Sequence, residues 1–504
     1  MKPAASMTLG ALLAGFAETP AVLADLPVSG LAADSSAVRP GDLFFALRGG
    51  RWHGLEFLDA VRAAGAQAVL WEPPYAGSLP GADAASPLLA VPELRQKLGR
   101  IASRFYGEPS RQLQVVGVTG TDGKTSCAHF IAQALSDAER GPCGILGTLG
   151  AGVYGATEPS LHTTPDALSV QRWLAGLVAA GRRYAAMEVS SHALDQGRVN
   201  GVEFAVAGLT NLTRDHLDYH GTLEAYAAAK RRLFFDSQPR WAVLNLDDAF
   251  GRAIAAERGS SSQTIGYGLG ARPAQLARFV WGEDLELSPA GLQLRIRSSW
   301  GDSVLRAGLL GRFNAHNLLA TLATLLALEW PLTEALARLA QTATASGRME
   351  RLGGGPGEPL AVIDYAHTPY ALEQALTALR EHGGGRLWCV FGCGGDRDAG
   401  KRPLMGAAVE RLADRVIVTD DNPRTEDPDR IVAAILAGMQ RPETAAVIRD
   451  RRAAILHTLT EAEAGDIVLI AGKGHEDYQI IGAQRFPFSD RAVVLDGLSI
   501  KTKT

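Results

Sequence analysis

The chain has 504 residues, 54 acidic against 50 basic side chains, a net charge of −4 and 46% hydrophobic residues. That length fits about two to four domains, with three expected, and the charge balance excludes a protein that coats nucleic acid. Four cysteines, Cys127, Cys143, Cys389 and Cys393, are too few for a disulfide framework and hold no zinc spacing with a histidine; reduced core or loop thiols are expected.

At the N-terminus Lys2 precedes an apolar stretch from Met7 to Ala17, in outline like a secretory leader. Thr8, Gly10, Gly15 and Glu18 interrupt that outline. Leu9, Leu12, Leu13 and Phe16 instead recur at i, i+3, i+4 and i+7, the spacing of a helical face. No leader is expected, and no run reaches the ~18 apolar residues of a membrane span. A cytoplasmic protein with small-molecule partners, no nucleic acid and no membrane, acting as a monomer, is the expectation.

From about residue 110 onward, short apolar runs alternate with helical patterns. Gln114–Thr119 reads as a buried strand, followed by a loop at 120–123 and a helix with Cys127, Phe130, Ile131, Ala134 and Leu135 on one face. Further strands are predicted at Ala185–Val189, Ala205–Thr210 and Ala242–Leu246. A second series is predicted at Ala361–Ile363, Leu387–Phe391, Val416–Thr419 and Ile467–Ile470. Such alternation predicts an α/β fold with parallel sheets and crossover helices. Breaks rich in Gly and Pro suggest domains over 1–108, 109–343 and 344–504. The polar motifs sit where strands end, the edge at which open parallel sheets bind ligands.

The segment Gly120-Thr121-Asp122-Gly123-Lys124-Thr125-Ser126 follows a strand and opens a helix. Its glycines let backbone N–H groups turn toward phosphate oxygens, and the helix start adds its dipole. Lys124 can reach terminal phosphates and Thr125 can ligate Mg2+. Val118 stands where the strict phosphate-loop pattern has its first glycine, so a plain glycine-rich turn is the competing reading. Glu188, at a strand end, is a hard oxygen ligand suited to Mg2+. His216 lies in the ionisable cluster Asp215–His220, although a lone loop histidine is more often structural.

With Met187–His192, Thr210–Gly221 and Phe313–Asn317 added, the motifs resemble those of the Mur ligases, in order over nearly the whole chain. The resemblance implies three α/β domains: an N-terminal uridine-nucleotide-binding domain, a central P-loop-type parallel-sheet ATPase domain and a C-terminal Rossmann-like domain that binds the amino acid. It implies ATP cleavage coupled to amide formation through an acyl phosphate. Lys124, Glu188, His216 and Lys230 become the catalytic set. Thr125, Glu188, His216 and Lys230 become the metal set for two Mg2+, with Lys230 as a CO2-derived carbamate. By itself, Lys230 in Ala227–Arg232 reads as a solvated lysine; only the resemblance reverses that.

Asn314 and Asn317 resemble adenine contacts, and Arg348 and Asp364 phosphate and ribose contacts. For a UDP-muramoyl dipeptide the matching residues are Ala33, Ser35, Gly50, Arg51, Trp52, His162, Thr163, Thr164, Ser190, Gln196 and Arg198. Departures from the family pattern are Asp122 for Asn, Ser36 for Arg and His162 for Asn. Arg397, Asp421, Asn422, Pro423, Arg424, Gly472 and Glu476 match members that add meso-diaminopimelate. An arginine fork suits its distal carboxylate and Glu476 its distal ammonium; Asn422-Pro423 by itself would pass as a turn. A folylpolyglutamate synthase-like ligase and a non-catalytic nucleotide-binding protein remain the alternatives.

Overall fold

The computed structural model describes residues 6–78, 86–259, 263–273 and 276–501; Lys2 of the N-terminal stretch lies outside them. The chain divides into two compact units. One comprises residues 1–279 and 320–331, the other residues 280–319 and 332–504.

The first unit opens with a helix at Leu9–Leu13. Leu9, Leu12 and Leu13 are fully buried, as their spacing predicts. The helix is shorter than the pattern suggests, because Ala14 leaves helical geometry and Gly15 turns at φ +78°. Phe16 still packs against the core, beneath the Arg104 guanidinium. A four-stranded parallel sheet follows, in the order Gly30–Ala32, Asp42–Ala46, Ala68–Trp71, Leu88–Ala90. Successive side chains of a strand point to opposite faces. Leu43 and Phe45 accordingly join one apolar cluster, and Phe44 and Ala46 another.

The central sheet of this unit places Gln114–Thr119 between Tyr184–Glu188 and Val206–Leu209, all parallel. Gly144–Gly147 extends it on one side, and Trp241–Asn245 and Thr264–Gly268 on the other. The four expected strands lie within one residue of their sequence bounds at either end, because near-continuous apolar runs mark strands buried on both faces, whereas Gly144–Gly147 and Thr264–Gly268 are not among those expected. Helix Lys124–Ala134 buries Cys127, Phe130, Ile131 and Ala134.

In the second unit an antiparallel ribbon joins Phe279–Ser288, Gly291–Ser298 and Ser303–Ala307. A second sheet runs Glu350–Gly353, Leu360–Asp364, Ile467–Ala471, Leu387–Phe391, Arg415–Val418, Ala446–Val447 and is parallel except for its first strand. Val362, Cys389, Phe391 and Leu469 face one cluster; Ile363, Val390, Val468 and Ile470 face the other. Under the second cluster, helices Arg451–Glu461 and Asp490–Lys501 are joined by the fully buried Arg451–Asp490 ion pair at 2.7 Å. All four cysteines are buried, and none is in a disulfide.

Candidate active site

The loop after Gln114–Thr119 turns on Gly120 at φ +152° and Gly123 at φ +80°. At Gly120 a Cβ would lie 1.8 Å from the Thr210 hydroxyl oxygen, so glycine is required there. Asn211 Oδ1 accepts the N–H groups of Thr121 and Asp122 at 3.2 and 2.9 Å, holding the loop against the neighbouring strand end. Lys124 Nζ donates to the carbonyls of Gly120 and Thr121 at 2.9 and 2.8 Å. Asp122 is exposed and Ser126 half-buried at the helix start.

Glu188 ends the adjacent strand and is buried at 2% exposure. Its carboxylate accepts the Thr125 hydroxyl at 3.0 Å, the Thr148 N–H at 2.7 Å and the Thr148 hydroxyl at 3.4 Å. Gly147 lets this turn close, since a Cβ there would lie 2.1 Å from Glu188 Oε1. Burial pushes the Glu188 carboxyl upward, against the Thr148 N–H, the Lys124 charge and the two hydroxyls. Thr148 has no signal in sequence; only the fold brings it to Glu188.

Lys230 is the largest departure from what its local sequence suggests. It is 1% exposed, its Nζ donates to the Gly120 carbonyl at 2.6 Å, and it stands 4.4 Å from the Tyr226 ring centre. Burial, then the neighbouring Lys124 charge, pushes it down to about 6, so a neutral amine prevails at neutral pH. A buried neutral lysine is a nucleophile rather than a surface charge.

His216 starts the short helix Leu217–His220 at φ +52°, with Asp215 Oδ2 at 3.4 Å from its Nε2. Its ring meets those of His192 and Tyr226 at 4.9 and 6.0 Å. Among the described residues no group of three or more His, Cys, Asp or Glu side chains forms a ready metal cage. Glu188 and Thr125, 3.0 Å apart, offer the sparse, hard oxygen donors that suit Mg2+, an ion commonly held by one or two carboxylates together with substrate phosphates, whereas His216 offers a softer nitrogen among Asp215, His192 and Tyr226.

Beside this loop cluster lies a cavity of about 550 Å3, lined in part by Arg95, His162, Trp173, Gln196 and Arg198. Arg198 donates to the Thr164 carbonyl at 2.8 Å and to Gln196 Oε1 at 3.0 and 2.7 Å. Gln196 in turn donates to the Tyr219 hydroxyl at 3.0 Å. The Thr164 hydroxyl donates to the Glu188 carbonyl and accepts the Ser190 N–H. Thr163 meets the Thr148 hydroxyl at 3.2 Å. The fold thus brings His162, Gln196 and Arg198 to one wall. Ala33, Ser35, Gly50, Arg51 and Trp52 follow strands of the N-terminal sheet and are not among the residues that line the cavity, although Leu47 and Arg95 of that region are. There Arg51 lies over the exposed Trp52 ring, and the exposed Ser36 donates its N–H and hydroxyl to Asp34 Oδ1 at 2.9 and 2.8 Å.

In the second unit, Asn314 and Asn317 are buried on helix Arg312–Ala327 and bonded to each other at 3.0 Å. Asp364 accepts the N–H groups of Met349 and Ala366, both at 2.8 Å, and burial raises its carboxyl. Arg348 lies 5.3 Å from the Tyr365 ring centre. Arg424, at φ +51°, donates to the Gly395 carbonyl at 2.8 Å. A Cβ on Gly394 would touch the Arg424 guanidinium and lie 3.8 Å from Arg397 Cγ, so this glycine leaves room for both side chains. Pro423 is buried beside them, and Gly472 at φ +115° leaves room for the Asp421 carboxylate. Asn422, 3% exposed, donates to Glu476 Oε2 at 3.0 Å and is no mere turn residue. Lys473, between Gly472 and Gly474, carries no signal in the sequence, yet it is fully buried and bonded to both Asn422 and Glu476.

A parallel sheet with a glycine-hinged loop at a helix start, flanked in sequence by two further α/β sheets, defines a multidomain α/β protein built to bind phosphate groups. The chain belongs to the Mur ligase family: it matches the Mur ligase family catalytic domain over residues 27–106, the Mur ligase middle domain over 118–325 and the Mur ligase glutamate ligase domain over 347–474. Members of this family use ATP and Mg2+. UDP-N-acetylmuramoyl-L-alanyl-D-glutamate–2,6-diaminopimelate ligase of Alkalilimnicola ehrlichii is 53% identical over 480 residues, 94% of this chain and 95% of the relative. The Pseudomonas aeruginosa ligase of that name is 53% identical over 466 residues, 92% and 94% of the two chains. A solved structure of a ligase so named superposes with a TM-score of 0.79 at 37% identity, covering 99% of this chain and all of that one. No helix among the described residues is long and apolar enough to cross a membrane.

Proposed function

We propose that the chain joins meso-diaminopimelate to UDP-N-acetylmuramoyl-L-alanyl-D-glutamate at the expense of ATP, as a monomer, in cytoplasmic synthesis of peptidoglycan precursor. The observation that carries this reading is the polar cluster of Asn422, Arg424, Lys473 and Glu476, held at strand ends of a chain whose relatives carry that ligase name. Domain boundaries near residues 108 and 343 accompany it.

In this reading the loop Gly120–Ser126 cradles the phosphates. Lys124 exchanges its two loop carbonyls for a phosphate oxygen. Asn314, Asn317, Arg348 and Asp364 hold the nucleoside side of ATP. Thr125, Glu188, His216 and a carboxylated Lys230 hold Mg2+ at two positions. The metal, when bound, neutralises charge developing on the transferring phosphoryl group. The cavity residues His162, Thr163, Thr164, Ser190, Gln196 and Arg198, with Ala33, Ser35 and Gly50–Trp52, hold the UDP-muramoyl dipeptide. A D-glutamyl carboxylate oxygen attacks the γ-phosphorus, the bond to ADP breaks, and an acyl phosphate forms. The free amine of diaminopimelate then attacks the acyl carbon and inorganic phosphate leaves. Arg397 and Arg424 grip the distal carboxylate of the amino acid, and Glu476 its distal ammonium. L-lysine has no distal carboxylate and would leave that guanidinium fork unpaired, a strong ground for rejection.

The test is phosphate release with ATP, Mg2+ and the UDP-muramoyl dipeptide, comparing meso-diaminopimelate, L-lysine and no amine. Release with meso-diaminopimelate alone is expected. Release with lysine instead would overturn the choice of acceptor, and release with neither would overturn the ligase reading.

A further inference from the structure

The fully buried ammonium of Lys473 is not accounted for by the roles above. Lys and Arg are almost never wholly buried unless paired. Lys473 Nζ donates to Asn422 Oδ1 at 2.9 Å and to Glu476 Oε2 at 3.2 Å, and stands 5.6 Å from the Tyr478 ring centre. Asn422 Oδ1 also accepts the Ile480 N–H at 2.9 Å. With two donors on that oxygen, the amide can face only one way, and its Nδ2 is turned to Glu476 Oε2 at 3.0 Å. Among the described residues, both donors to the Glu476 carboxylate therefore converge on Oε2, and Oε1 takes none. The Glu476 side chain keeps 18% of its exposure, so its second oxygen is the one left for a ligand.

We infer that Lys473 is a positioning residue for acceptor specificity: it locks the Asn422 amide and one oxygen of Glu476, so that the other oxygen receives the distal ammonium of the incoming amino acid. The inference rests on the proposed acceptor site. Lys473 touches no substrate and takes no part in phosphoryl transfer. Its effect belongs to recognition of one ammonium group, since a buried charged pair pre-orients its carboxylate without reorganisation on binding.

The experiment compares the wild-type enzyme with Lys473→Met on two acceptors. Meso-diaminopimelate carries the distal ammonium; L-2-aminopimelate keeps the attacking amine and both carboxylates but lacks it. KM for meso-diaminopimelate is expected to rise about ten- to a hundredfold in the variant, the scale of a lost charged hydrogen bond. KM for ATP and kcat are expected to stay within about threefold. On 2-aminopimelate the two enzymes are expected to agree within about twofold, since the group that Glu476 serves is missing. An equal loss on both acceptors, or an unchanged KM for meso-diaminopimelate, would overturn the inference. A wild-type enzyme inactive with meso-diaminopimelate would overturn the acceptor reading itself. Should Lys473→Met fail to fold, Lys473→Leu, which likewise carries no donor, undergoes the same comparison, with the same overturning results.

Discussion

Lys230 shows how far a residue's neighbourhood in space can depart from its neighbourhood in sequence. Ala227–Arg232 ends in three basic residues, and local rules put all three in solvent. The fold separates them: Arg231 and Arg232 reach Glu257 and Asp236 on the surface, while Lys230 turns inward to the Gly120 carbonyl. Sequence alone could not give that burial, because it comes from a helix packing on a loop over a hundred residues away; the family resemblance supplied a role for the residue, not its burial. Lys230→Ala is expected to be nearly inactive in the phosphate-release assay and to recover in part with short carboxylic acids. Wild-type activity would refute the carbamate role. His129 carries a second consequence of burial. Desolvation pushes it down to about 4, so the folded chain keeps a neutral imidazole where the unfolded chain, near 6.5, already binds a proton. The stability it contributes is whole above about pH 6.5 and is lost as pH falls toward 4, by at most about 3 kcal/mol. Denaturant melts of wild type and His129→Gln over that range are expected to show a shallower acid-side loss in the variant.

The phosphate loop, the Glu188 strand end and the Asp421–Arg424 segment are all legible in the sequence, because apolar runs fix where strands stop and polar motifs begin there. What is not legible is the wiring between elements. Thr148 reaches Glu188 and Asn211 splints the loop only after parallel pairing sets their register. The missing first glycine at Val118 is explained in the same way: Val118 is a buried strand residue, and the turn is made by Gly120. Gly120→Ala tests this at the scale of the element. The new Cβ would collide with the Thr210 hydroxyl and meet the Asn211 N–H at 3.1 Å, in a backbone region that L-residues avoid. Nucleotide binding measured by calorimetry is expected to weaken at least tenfold, as a loop displaced by one such clash loses its aligned donors. Unchanged affinity would show that the loop does not hold the phosphates.

Over the whole molecule, strand-helix alternation from about residue 110 onward leads to two series of strands and the family resemblance adds an N-terminal α/β domain; all three sheets are present, although contacts group the chain into two units. Composition foretells the broad class and nothing of the chemistry. If the nucleotide binds only the folded chain, it stabilises by mass action: at a hundred times its dissociation constant, about 2.7 kcal/mol. Mg-ATP is therefore expected to raise the melting midpoint of the wild-type chain by a few degrees and that of Lys124→Ala by much less. An equal shift in both would mean that Lys124 contributes nothing to holding the nucleotide.

The burial of every cysteine has a practical corollary. Cys127, Cys143, Cys389 and Cys393 lie under the surface, and desolvation raises each thiol, so thiolate-seeking labels find no target on the native chain. Leu161, 97% exposed on the rim of the large cavity, is a place where one introduced cysteine would be the sole reactive handle. A fluorophore attached at Leu161→Cys would report, as a change in emission, the arrival of whatever fills that cavity, without a coupled assay and without rebuilding the native thiols.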